Sequence, residues 1–320
     1  MSVVVPTAAD RPVTEAALGA ALDDPATAEV IVVVAAADPG AAAAGEAMAR
    51  LRRRAADEPR LRLLSLEAGG DMWRVQRARD AGVEAARGEV VLSLDDDVVL
   101  DSGVVSGHAA AHRDVDDLCV LGYMPVATHH RWPRGNATIR FYSKTYELHC
   151  RRYDEDPEQV LTTLWGGNFS VRRERWLAAV RRPRTSSWGH DDQEIGLLFR
   201  REGMRGRFDR SLRGRHYYER SAAGFVVRAE KSAIGQAELR AANPDLLPER
   251  ARERGRRDLV AGPVLAAARL PHGWTVVRGV LIGAMAAAGA LRLDFLADTI
   301  AGQLWFLGQE RALRARRPPG

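Results

Sequence analysis

The sequence predicts an α/β protein, a Rossmann-like, mostly parallel sheet flanked by helices, with a C-terminal helical appendage. Three observations carry this. Short β-branched runs alternate with helical segments through the first hundred residues. The runs are mostly apolar, and strands alternating with helices imply parallel pairing in a covered sheet. A basic, polar stretch from Arg240 to Arg257 then separates this pattern from a last segment with helical spacing.

The elements follow in order. "SVVVPT" is a short strand ended by Pro6, and Thr14 to Leu22 reads as a helix. "EVIVVVAAAD" is a second buried strand, and Ala41 to Ala56 is helical with arginines outward. "LRLLSLEA" is a third strand; Met72 to Arg87 is a helix stopped by Gly88. "EVVLSL" is a fourth strand. From Gly107 to Asp156 the pattern loosens, and "HHRWPRGN" reads as a loop.

Composition excludes several classes. At 320 residues with 46% hydrophobic content, the chain has enough apolar material for a sizeable core, so disorder is not expected. The net charge is +5, but 42 acids nearly match 47 bases, which argues for a solvated arginine surface and against a nucleic-acid partner. The two cysteines, Cys119 and Cys150, form no CxxC pair, as in a protein of a reducing compartment. "MSVVVPTAADRP" has neither a basic n-region nor a long apolar h-region, so no secretory signal is expected and the cytoplasm is the expected location.

The chemistry starts at "LSLDDDVVLD", where Asp95, Asp96 and Asp97 end an apolar strand. In sheets of this kind, ligands bind beyond the carboxyl ends of the strands where strand order reverses. Three adjacent carboxylates repel one another unless a cation intervenes. A hard divalent ion resolves this, since Mg²⁺ or Mn²⁺ takes oxygen ligands, commonly one or two carboxylates plus substrate phosphates. On an extended segment Asp95 and Asp97 share a side, which suggests a D-x-D with Asp97 on the metal and Asp95 nearer a nucleoside. A solvated acidic turn would give the same three letters.

Further motifs surround this one. "RARDAGVEAARGEVVLSLDDD" resembles the family 2 glycosyltransferases, which carry a helix with R-N-x-G, then G-E, then a strand ending in D-x-D. Arg79, Asp80 and Gly82 fall on the R-N-x-G positions, with Asp80 in place of the usual Asn. "SVVVPT" resembles the family's first strand, where the nucleotide base is held near the Pro6–Thr7 turn; Asp38 stands where the second strand usually ends in Asp-Asp-Gly-Ser. "WGGNFSVRRERW" resembles the G-G-N-x-x-x-R segment of the same family and of the galactosyltransferase C-terminal module. There Gly166 and Gly167 would admit a close sugar and Asn168 would hold its hydroxyls. "WGHDDQEIGLLFRREG" resembles the W-G-x-E-D-x-E-L-G segment.

The resemblance covers roughly Ser2 to Ser221 and implies a GT-A fold and a glycosyltransferase of hexosyltransferase type. It places Asp192 on the catalytic base, and Trp188, His190, Asp191 and Glu194 on the acceptor side. It places Asp97 and His216 on a Mn²⁺ or Mg²⁺ ion. It assigns Pro6, Thr7, Asp38, Arg79, Asp95, Asp96, Gly166, Gly167 and Asn168 to the nucleotide sugar. A UDP-sugar would be the donor and the reaction inverting. The acceptor, whether glycan, small molecule, peptide or lipid-linked, is not specified, and its loops are expected around His129 to Asn136 and Arg151 to Glu158. The expected organisation is a glycosyltransferase domain over 1–240, made of a nucleotide-sugar half (1–106) and an acceptor half (107–240), then a helical extension over 258–317.

Two other readings are open to the residues alone. A sugar-nucleotide pyrophosphorylase shares the architecture but opens with a Gly-rich loop, and "VVVPTAADRP" has no Gly. A non-catalytic nucleotide-sugar-binding or scaffold protein fits the altered second strand but not the acids at 97, 192 and 194. In the tail, the uncharged run from Gly279 to Leu291 is bracketed by Arg278 and Arg292 and is shorter than the ~20 residues of a membrane span. It is read as a buried hairpin or a homodimer face before weak, peripheral contact with the inner membrane face. Leu296, Ile300, Leu304 and Leu307 share one helical face.

Overall fold

The computed structural model describes residues 1–8, 13–35, 42–66, 74–127, 136–185, 189–247 and 272–316, with single positions at 264 and 267. These residues form two compact units. The first comprises 1–127, 146–184 and 191–218; the second comprises 128–145, 185–190 and 219–320.

The first unit carries the sheet. Its first half runs β1 (Ser2–Thr7), α1 (Thr14–Leu22), β2 (Glu29–Val34), α2 (Ala42–Asp57), β3 (Leu61–Ser65), α3 (Arg74–Ala85) and β4 (Val90–Leu94), as the sequence predicts. Then come β5 (Val98–Leu100), α4 (Val104–Ala111), β6 (Leu118–Tyr123), α5 (Ala137–Glu155), α6 (Gln159–Thr162), β7 (Asn168–Arg172), α7 (Arg173–Ala179), α8 (Asp191–Arg201) and β8 (Arg205–His216). The strand order is β3-β2-β1-β4-β7-β6-β8-β5. β1 pairs in parallel with β2 on one side and with β4 on the other, so the order reverses between β1 and β4. β7 then runs antiparallel to both β4 and β6, while β8 is parallel to β6.

β1 and β2 are buried at every position, which their β-branched runs require. α3 lies close against β1 because Gly82 has no side chain: a Cβ there would stand 2.3 Å from Val4 Cγ1. That approach, with Ala78 and Val83 in the core, carries Arg79 toward the strand ends. On the other side of the sheet α4 brings two histidines into the interior. His108 Nδ1 and His112 Nε2 each lie 2.8 Å from Ser170 Oγ on β7.

The second unit has its own core. It contains the start of α5, then α9 (Ala222–Ala242), α10 (Gly273–Ala290) and α11 (Asp294–Ala315). Phe225, Val226, Trp274, Met285, Leu304 and Leu307 form its interior. Phe141 meets Phe225 edge-on, with ring centroids 5.4 Å apart. Ser221 caps α9, its Oγ accepting from Gly224 N–H at 3.1 Å. The division differs from the expected boundary near 240: α9 packs with the C-terminal helices because its apolar face meets theirs. Of the tail residues expected on one face, Leu304 and Leu307 are buried, whereas Leu296 is 48% exposed.

The buried histidines make a pH prediction. Burial lowers both His108 and His112 to a pKa of about 4. The unfolded chain binds these protons near pH 6.5, so folding stability is fully present above that value and is lost as pH falls toward 4. Each histidine contributes on the order of 3 kcal/mol at most. Urea unfolding is expected to show falling stability between pH 6.5 and 5, before most carboxylates titrate. An unchanged stability across that window would contradict the burial of neutral imidazoles.

Candidate active site

At the β1–β4 reversal the three consecutive carboxylates part company. Asp95 to Val98 is a tight turn, with Val98 N–H donating to Asp95 O at 3.1 Å, not the extended segment that would align Asp95 with Asp97. Asp96 turns back to the first strand, where Thr7 Oγ1 donates to its Oδ2 at 2.6 Å. Asp97 faces the end of β8: His216 Nε2 lies 3.4 Å from its Oδ1, and its carbonyl accepts from Tyr217 N–H at 2.8 Å.

Asp95 takes the third direction. Its Oδ1 accepts from Arg79 Nη2 at 2.7 Å, and Arg79 Nη1 donates to Asp192 Oδ1 at the start of α8. One guanidinium thus joins the end of β4 to the start of α8, 113 residues apart in sequence for the Arg79–Asp192 pair. Arg79 is 2% exposed. Burial opposes its charge, but Asp192 and Asp95 together outweigh that and hold its pKa above the ordinary value. For Asp95, burial raises the carboxyl pKa, Arg79 draws it down, and neighbouring Asp192 and Asp97 push it up again; the net shift is upward.

The glycine pair before β7 closes around the same carboxylates. Gly166 N–H donates to Asp192 Oδ2 at 3.1 Å, and a Cβ on Gly166 would lie 2.8 Å from Asp192 Cγ. Gly167 has φ +120°, and its carbonyl accepts from Asp95 N–H at 2.9 Å. A Cβ on Gly167 would lie 2.8 Å from Asp95 Oδ2. The backbone there approaches two carboxylates more closely than a Cβ would allow.

The arrangement therefore gathers Thr7, Arg79, Asp95, Asp96, Asp97, Gly166, Gly167, Asp192 and His216 at one set of strand ends. The sequence profile of Glycosyl transferase family 2 matches residues 2–175. The chain belongs to glycosyltransferase family 2. Its sheet is that of a GT-A enzyme, curled and mostly parallel, followed by C-terminal helices. Among solved structures, the crystal structure of S. aureus TarS 1-349 is similar at 14% identity and TM-score 0.47, over 94% of this chain and 90% of that one. The crystal structure of S. aureus TarS is similar at 14% identity and TM-score 0.46, over 84% of this chain and 43% of that one. A search of curated protein sequences found no match.

In this glycosyltransferase the matched span holds Thr7, Arg79, the Asp95–Asp97 turn and the glycine pair; Asp192 and His216 lie beyond it. The other expected residues have surroundings of their own. Asn168 is fully buried, its Nδ2 donating to Leu212 O at 2.9 Å and its Oδ1 3.0 Å from His108 Nε2, so its amide serves packing. Glu194 is 3% exposed inside α8. Pro6 is buried within β1, in register with Val33 of β2. Asp191 is half-buried at the first position of α8. His190 Nε2 lies 3.0 Å from Ser232 Oγ, in the second unit. Trp188 and Asp38 lie outside the described residues, as do 129–135 of the expected acceptor loop. The other expected loop, Arg151 to Glu158, is largely the last turn of α5.

Asp80, the departure from R-N-x-G, is matched by its surroundings. It accepts from Trp176 Nε1 at 2.9 Å and Gln76 Nε2 at 3.1 Å, and Arg184 Nη2 supplies the opposing charge at 2.7 Å. Sequence reasoning missed both this cluster and the Arg79 bridge. The helical placement of Arg79 was readable, but its two partners come from other segments.

Gly167→Ala is expected to destabilise the fold by roughly 1–3 kcal/mol, because an L-residue at that φ is strained and its Cβ collides with Asp95. Thermal or urea unfolding checks this. A neutral substitution would mean the glycine is not required by the carboxylate.

Proposed function

We propose that this glycosyltransferase moves a sugar from a nucleotide diphosphate sugar, of the UDP type, to an acceptor hydroxyl with inversion at the anomeric carbon. The observation that carries the reading is the double hold on Asp192. Arg79 fixes one carboxylate oxygen and Gly166 N–H the other, yet the side chain remains 29% exposed at the strand ends. A general base needs such a fixed orientation and an open approach for the hydroxyl. In this role Asp192 takes the acceptor's proton as its oxygen attacks the anomeric carbon on the face opposite the departing nucleotide diphosphate.

The charge of the site supports a divalent cation. Asp95, Asp96, Asp97 and Asp192 bring four carboxylates, and Arg79 answers two of them. A diphosphate brought among these carboxylates adds further negative charge, which a cation joining it offsets. Asp97 and His216 present an oxygen and an imidazole nitrogen 3.4 Å apart, a donor pair that Mn²⁺ or Mg²⁺ accepts. Among the described residues no group of three or more His, Cys, Asp or Glu side chains is arranged to hold an ion unaided. Such a pair suits an ion that draws further ligands from phosphate and water. When bound, the ion would neutralise charge on the leaving diphosphate. Thr7 and Asp96, joined at the ends of β1 and β4, lie where the nucleoside is expected.

Asp192→Asn preserves shape and removes the base. Turnover is expected to fall by about 10²–10⁴-fold, the usual contribution of general-base catalysis, with UDP affinity in Mn²⁺ nearly unchanged. Steady-state transfer and calorimetry check this, with His190→Ala as the control for a competing base. Near-normal turnover of Asp192→Asn with loss in His190→Ala would move the base to the histidine. UDP is expected to bind more tightly in Mn²⁺ than in chelator; equal affinity would remove the metal from the reading.

A further inference from the structure

The family resemblance assigns Arg79 to the nucleotide sugar, but its surroundings leave it little to offer a diphosphate. The side chain is buried within the first unit. Nη2 donates to Asp95 Oδ1 at 2.7 Å, and Nη1 donates to Asp192 Oδ1. The remaining nitrogen, Nε, is buried with no hydrogen-bond partner among the described residues. The Asp95 and Asp192 side chains are 30% and 29% exposed, against 3% for Arg79. The cluster presents carboxylate outward and keeps its guanidinium inside.

The two acids are fixed relative to each other by more than this cation. Asp95 N–H donates to Gly167 O at 2.9 Å, and the adjacent Gly166 N–H donates to Asp192 Oδ2 at 3.1 Å. One backbone segment and one guanidinium thus hold both. A planar guanidinium serves two carboxylates in fixed directions, which the point charge of a lysine does not. The second acid also has a use during proton transfer. When Asp192 accepts a proton its charge is lost, and a buried guanidinium tied to it alone would be left uncompensated. Asp95 remains to answer that charge.

We infer that Arg79 is a positioning residue for Asp192 and not a ligand of the diphosphate, and that Asp95 is the anchor that keeps Arg79 in place. The inference rests on the reading of Asp192 as the base. Oδ1 of Asp192 is committed to the guanidinium. Oδ2, held only by the Gly166 N–H, is then the oxygen that takes the acceptor's proton. Loss of the fork frees the carboxylate to turn, and a reacting group misplaced by about 1 Å costs about 10²-fold in rate.

Amide hydrogen exchange on the full chain tests the hold without any substrate. In Arg79→Lys, which keeps the charge and loses the fork, the Gly166 N–H is expected to exchange about tenfold faster or more. The amide of Val171, a residue paired with Val91 and Cys119 inside the sheet, is expected to exchange as before. Unchanged exchange at Gly166 would overturn the inference. Should both amides speed up equally, the whole fold is weakened, and a second variant decides. Arg79→Gln with Asp95→Asn removes one charge of each sign, so no buried charge is left alone. Its affinity for UDP in Mn²⁺, by calorimetry, is expected to stay within about threefold of the natural chain, while UDP release from UDP-glucose or UDP-N-acetylglucosamine falls about 10²-fold. A loss of UDP affinity of about tenfold or more, as expected when charge-assisted bonds to phosphate are removed, would make Arg79 a nucleotide ligand and overturn the inference. Asp192→Asn separates the two claims. Near-normal UDP release in that variant would sink the base reading. Loss of release there, with normal release in both Arg79 variants, would leave the base in place and overturn the inference.

Discussion

Burying a guanidinium is costly unless its charge and donors are met, and Arg79 is buried almost completely. Its charge is met by Asp95 on one side and Asp192 on the other, through Nη2 and Nη1. Much of the first unit follows from that requirement. α3 must come close to β1, so Gly82 carries no side chain. The segment before β7 must lie against both carboxylates, so it is Gly166-Gly167. Removing either carboxylate would leave the buried guanidinium with one acidic partner in place of two. The fold thereby ties the strand end that carries the three acids to the helix that carries the proposed base.

The same bridge divides labour among the acids. Asp95 and Asp192 share one cation, Asp96 joins β4 to β1 through Thr7, and Asp97 looks toward His216. Three consecutive carboxylates thus face three elements and are not stacked on one side. Turning them apart relieves their mutual repulsion, and Arg79 on Asp95 and Thr7 on Asp96 relieve it further. Specific side-chain partners, and not the acidic triplet alone, give each Asp its environment.

The strands of the first half and the motifs at their ends were legible because apolar runs, helix stops and acidic ends are local signals. Later elements were not. β8 reads Arg-Gly-Arg-Phe-Asp-Arg-Ser-Leu-Arg-Gly-Arg-His, and most of its side chains are exposed or half-buried, so no apolar alternation marks it. α5 follows a polar stretch of sequence, and α9 is rich in Ala, with Phe225 and Val226 turned to helices that follow later in the chain. Asp97 and His216 were paired from sequence by resemblance, and the pairing of β5 with β8 brings them together. Asn168, expected at a sugar, has its amide buried between His108 and Leu212. Sequence spacing does not tell which side of the sheet an isolated amide enters.

The central claim is that Arg79 energetically couples the acidic strand end to Asp192. A double-mutant cycle on folding stability, combining Arg79→Gln with Asp192→Asn under urea unfolding, measures that coupling directly. The account predicts that the two effects are not additive, with an interaction energy of about 0.5–3 kcal/mol. Additive effects within experimental error would contradict it.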